Sequence, residues 1–104
     1  MAELTPTSLL SDGGLTGAGS KILILEAAIT SSEDVITINA SDYDITSVTA
    51  VSAVISSGGD ADLAFIKADA SGNAIRVYTY EDDGSTAASD FTNASGVFTV
   101  YCSL

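Results

Sequence analysis

Histidine and tryptophan are absent from this chain, and cysteine, proline and methionine occur once each. Without histidine there is no ordinary general base near neutral pH, which excludes the common catalytic triads and most zinc and copper sites. Cys102 has no second thiol to pair with and no imidazole to make it a nucleophile. Set in the apolar run 97–102, it reads as a small buried hydrophobe. No Gly-x-Ser-x-Gly or Ser-x-x-Lys is present, and no Gly-rich phosphate loop leads into a long helix. Carboxylate-pair hydrolysis stays formally open because acidic residues abound. It needs a cleft with aromatic walls, however, and aromatics are only 7% of the chain. The expectation is a protein that is not an enzyme and uses no cofactor.

Positive charge is nearly as scarce. Lys21, Lys67 and Arg76 face fourteen acidic residues, for a formal net charge of −11. Nucleic-acid affinity rests on neutralising phosphates with Lys and Arg, and three cations form no such footprint. An anionic membrane surface is excluded on the same ground. What remains is a basic protein surface, a medium rich in divalent cations, or solubility through self-repulsion. Long hydrophobic runs are missing too: the longest, Ile22 to Leu25, is far too short to span a bilayer. Residues 1–20 have no basic start and an apolar content broken by Thr, Pro and Gly, so no signal peptide is expected. The sequons at Asn39 and Asn93 then read as chance matches. Mean hydropathy is nonetheless positive, at +0.37. Abundant Ala raises it, and apolar surface covered by a partner or a second copy would raise it as well.

What is present is β-branched residue after β-branched residue, punctuated by turns. The predicted strands are Ile22 to Thr30, Val35 to Ala40, Ile45 to Ser56, Leu63 to Ala68, Ala74 to Glu81 and Val97 to Ser103. The first is almost continuously apolar, which predicts cover on both faces. The third could stripe a helix through Ile45, Val48, Val51 and Ile55, but its Val, Ile, Thr and Ser content favours a strand with irregular register and a bulge. Ser57-Gly58-Gly59-Asp60 is a turn signal, Ser71-Gly72-Asn73 predicts a tight hairpin, and a loop of small residues runs from Asp82 through Asn93. Six strands at short spacing predict an all-β fold, a small β-sandwich or open barrel over 21–104. Residues 1–20 stand apart as an extended N-terminal arm holding the only Pro and four of the nine Gly residues. It is too Gly-rich for more helix than a turn at 7–11. Its leucines Leu4, Leu9, Leu10 and Leu15 are an odd endowment for a solvated tail, and predict docking on its own domain or on a neighbour.

Two patterns invite a binding role. Asp42-x-Asp44, Asp60-x-Asp62 and Glu81-Asp82-Asp83 put oxygen ligands in loops, as calcium sites do, yet none has EF-hand spacing. Asp also initiates turns through its own side chain, which is the plainer reading. In the fifth predicted strand Arg76, Tyr78 and Tyr80 share one face, opposite Ile75, Val77 and Thr79. Tyr and Arg are enriched at contact surfaces, though sandwich edges also tolerate Tyr for its ability to bury a ring and wet a hydroxyl. In the last strand Phe98, Val100 and Cys102 face one way and Val97, Thr99 and Tyr101 the other.

A cysteine-poor β domain rich in Ala, Ser, Thr, Gly and Asp, with a leucine-bearing arm at 1–20 and a compact unit at 21–104, resembles the small virion proteins of tailed bacteriophages. Capsid decoration (cement) proteins are the nearest in texture. That resemblance implies a structural protein of the virion, bound to the major capsid protein or other virion proteins, homo-oligomeric with a trimer among the options, with no nucleic-acid or membrane partner. The arm leucines would seat on the neighbour. A tail, neck or fibre component forming rings or tubes is the alternative within the same class. From a different class comes a carbohydrate- or receptor-binding module built on Tyr78, Tyr80 and the 82–93 loop.

Overall fold

A computed structural model describes residues 2–3, 8–15, 20–57 and 64–103. The fold is all-β, with strands β3 (Ser20–Ala28), β4 (Glu33–Thr37), β5 (Ser47–Ser57), β6 (Phe65–Ser71), β7 (Ala74–Tyr80) and β8 (Ser95–Ser103) matching the six predicted runs. Two further strands, β1 (Ala2–Glu3) and β2 (Ser8–Leu15), come from the N-terminal segment. One four-stranded sheet has the order β1-β4-β7-β6 and the other β2-β3-β8-β5. All pairings are antiparallel except β1 with β4.

The sandwich follows from alternation. In β3, Leu23, Leu25 and Ala27 are fully buried while Ile22, Ile24 and Glu26 on the other face are half-buried. The expectation of complete cover on both faces is therefore met on one only. In β8, Phe98, Val100 and Cys102 point inward; in β7, Ile75, Val77 and Thr79 do. These residues join Ile36, Ile38, Ile45 and Val48 in one core between the sheets. Phe98 alone, fully enclosed, is worth about 3–5 kcal/mol against truncation to Ala.

Local chemistry shapes the connections. The β6–β7 hairpin turns on Gly72-Asn73, with Gly72 at φ +61°, the positive first central dihedral that a type II′ turn requires and that glycine adopts freely. Asn73 then reaches across the sandwich, its Oδ1 accepting from the Val48 N–H at 3.1 Å and its carbonyl from the Ile38 N–H at 2.7 Å. The bulge predicted for the third strand is present: the β5–β8 register slips between Val48 and Ala50, and again between Ile55 and Ser57. Ala40, predicted as the end of the second strand, and residues 41–43, predicted as loop, form the one-turn helix α1 (Ala40–Tyr43). The Asn39 side chain caps its start by accepting from Ser41, so this sequon asparagine serves as a helix cap. The long loop is folded onto a satellite core of Ile29, Ala88 and Ala94.

The arm is the main revision. Within the span 7–11, where a helical turn was allowed, residues 8–11 are strand: Ser8–Leu15 pairs antiparallel with β3, with Leu9 opposite Leu25 and Leu15 opposite Lys21. Two register slips accommodate the Ser-Asp-Gly-Gly stretch. Leu4, the turn at 58–60, Leu63 and the Asp60-x-Asp62 pair lie outside the described residues.

Candidate contact face

The outer face of the β1-β4-β7-β6 sheet gathers what the sequence has least of. The register sets Glu33, Tyr78 and Lys67 in one row across β4, β7 and β6, and Val35, Arg76 and Asp69 in the next. Tyr80 lies opposite Phe65 beyond the first row, and Thr37, Ala74 and Ser71 line up beyond the second. Arg76 is exposed, Tyr78 and Tyr80 are half-buried, and Phe65 is 51% exposed, a high value for so large an apolar ring. Sequence reasoning found Arg76, Tyr78 and Tyr80. It missed Lys67, Phe65 and Glu33, although the alternation of Phe65, Lys67 and Asp69 with Ile66, Ala68 and Ala70 already marked one polar face of β6.

Among the described side chains, β4, β7 and β6 bring two cations and two carboxylates to this face, which sum to zero on a chain of net charge −11. The remaining cation, Lys21, is buried and donates from Nζ to the Tyr43 carbonyl, holding α1 against β3. The face thus holds every exposed cation of the molecule. Lys67 Nζ stands 3.7 Å from Asp69 and 5.9 Å above the Tyr78 ring centroid. With the two side chains 62% and 54% exposed, solvent screens that ion pair and its energetic value is small. Its effect is to organise the surface. Among the described residues the surface carries no cavity, so binding here would be to a flat sheet.

The other predicted features are placed elsewhere. Leu9, Leu10 and Leu15 fall in β2, at the edge of the opposite sheet, so the structure does not bring them together with the Arg-Tyr-Tyr strand. Asp83 accepts from the Ser85 and Thr86 N–H groups at 2.9 and 2.8 Å and from the Thr86 hydroxyl. Those bonds, the Thr86 hydroxyl foremost, hold its pKa down from 3.8 to about 2. Asp90 accepts from the Thr92 N–H at 3.1 Å. Both are turn-forming carboxylates. Among the described residues no three acidic, His or Cys side chains converge as a metal site would require.

Fold and face define a two-sheet β-sandwich protein with one aromatic-bearing outer surface whose described charges balance. Compared with protein-family models, curated proteins and solved structures, the chain matches none of them. Among the described residues no helix is long and apolar enough to cross a membrane.

Proposed function

We propose that this chain is a non-catalytic structural protein that works by burying surface, and that the outer face of the β1-β4-β7-β6 sheet is the surface it uses. In the setting implied by its texture it is a capsid decoration protein, adding to the outside of an assembled shell through many weak, symmetric contacts that sum by avidity. The single observation that carries the reading is the concentration of Arg76, Lys67, Tyr78, Tyr80 and Phe65 on one face of a strongly acidic chain. Aromatic and arginine side chains dominate contact energetics, and a patch of balanced charge is where an acidic protein can approach another surface without repulsion.

The test is co-sedimentation of the purified chain with undecorated shells assembled from a tailed-phage major capsid protein. Tyr78→Ala and Arg76→Ala, both at solvent-facing positions of β7, are expected to weaken binding at least tenfold, a loss of about 1.4 kcal/mol or more, while leaving the melting temperature nearly unchanged. Shell binding that survives both substitutions rejects this face as the contact.

A further inference from the structure

We infer that away from a shell this face is covered by a second copy of the chain, packed sheet on sheet about a two-fold axis, and that the two copies separate before the face can meet a shell. The axis lies in the contact plane, across the strands, and passes between the Tyr78 row and the Arg76 row. This rests on the reading of the face as a contact surface and adds who occupies it. The argument is self-complementarity, which an isologous interface demands, since each residue must suit the residue that the axis brings opposite it.

Such an axis stacks β7 on the partner's β7 and β6 on the partner's β6, antiparallel, and exchanges the rows. Arg76 then meets the partner's Tyr78, a guanidinium over an aromatic face. Lys67 meets the partner's Asp69, so the Lys67–Asp69 pair within each chain becomes one side of an alternating square of four charges. In the outer rows Tyr80 and Phe65 come over the partner's Ala74 and Ser71, large side chains over small ones, as interdigitating sheet faces need. An axis along β7 instead would set Arg76 against the partner's Arg76, which like charge forbids.

Charge also selects this face over the rest of the surface. With net charge −11 concentrated outside it, two copies repel in other orientations but not here, where the described charges sum to zero. Four rows at about 6.8 Å and three strands at about 4.8 Å give a footprint of roughly 400 Å² per copy. A standard stable interface buries about 800 Å² per partner, so this contact is weak and concentration-dependent.

The experiment is sedimentation velocity on the full chain over a concentration series at physiological ionic strength, with shell co-sedimentation run in parallel. Wild type is expected to shift from monomer toward dimer as concentration rises, and to dimerise less at low ionic strength, where two chains of net charge −11 repel unscreened. Lys67→Asp and Asp69→Lys are each expected to weaken the dimer about tenfold or more, because each places like charges opposite one another twice per dimer. The double variant Lys67→Asp/Asp69→Lys restores it, since the square alternates again. Circular dichroism melts check that all three variants keep the fold, as exposed positions should. A wild type that stays monomeric at millimolar concentration overturns the inference, as does a double variant no better than the single ones. If the monomer nonetheless binds shells in a Tyr78-dependent way, the contact-surface reading stands and only the second copy is lost. Dimerisation without Tyr78-dependent shell binding gives the converse.

Discussion

Replacing Asp34 tests the fold at the one fully buried carboxylate among the described residues. Asp34 sits on the inward face of β4 opposite Val77, where an unpartnered charge would be strongly destabilising. It is tolerated because the chain turning from β3 into β4 wraps it with donors: the Thr30 and Ser31 N–H groups at 3.1 and 3.2 Å, the Thr30 hydroxyl at 3.3 Å, and the Ser31 hydroxyl. Asp34→Ala removes all four acceptor contacts at once. The hydroxyls can turn elsewhere, and Ser31 already donates to the Glu33 carbonyl at 2.7 Å. The two backbone donors have no such freedom. At about 1.5–3 kcal/mol for each hydrogen bond to a charged group, and allowing for water reaching Thr30, the net loss comes to about 3 kcal/mol. For a domain of this size that lowers the melting temperature by roughly 12–20 °C. Asp34→Asn keeps one acceptor oxygen but sets an NH₂ against donors, and is expected to lose about half as much. Circular dichroism melts and urea titrations measure both, and an unchanged m-value certifies that the unfolded state is the same. An Asp34→Ala melt within a few degrees of wild type would refute the claim that this carboxylate organises the β3–β4 turn.

Three further outcomes follow from particular groups. Thr79 is 1% exposed and its hydroxyl has no hydrogen-bond partner among the described residues, so Thr79→Val is expected to stabilise the fold by about 1 kcal/mol; a lower urea midpoint would show that the hydroxyl is in fact satisfied. Asn73→Ala strips the acceptor from the Val48 N–H at the bulge, and is expected to cost about 1–2 kcal/mol and to speed amide exchange at Val48. Asp83 should titrate at about 2 by NMR, against the ordinary 3.8. Because its folded pKa is depressed, what it contributes to the Asp83–Thr86 turn is complete above about pH 4 and is lost as pH falls through 2. Thr86→Val, which removes the largest cause of the shift, is expected to raise the titration midpoint.

Much of the fold was legible because period-two alternation is a local signal. Spacing alone separated Ile75-Val77-Thr79 from Arg76-Tyr78-Tyr80 and Phe98-Val100-Cys102 from Val97-Thr99-Tyr101, and the structure buries the first set of each pair. The hairpin at Gly72 and the bulge in β5 were equally readable, since each depends on the conformational preferences of a few adjacent residues. Docking of the N-terminal segment on its own domain was foreseen from its leucines, but that it docks as a strand was not, for the converse reason. Nothing in Ser8–Leu15 favours a strand; it is one because β3 offers an unpaired edge, and backbone hydrogen bonds to that edge outweigh the poor propensity of Gly13 and Gly14. Likewise the acidity of Asp34 gave no hint of burial, which depends on donors delivered by the Thr30-Ser31 turn.

The contact face shows the same division. Few cations, a strongly negative net charge and a strand with Arg and Tyr on a single side can all be read from residue order alone. Only the tertiary structure decided that β6 and β4 flank that strand, bringing Lys67, Asp69 and Phe65 from one side and Glu33 and Val35 from the other. Alternation tells which way a side chain points, whereas its neighbours depend on strand order and register. Those are set by long-range backbone pairing and by the close packing of the core beneath.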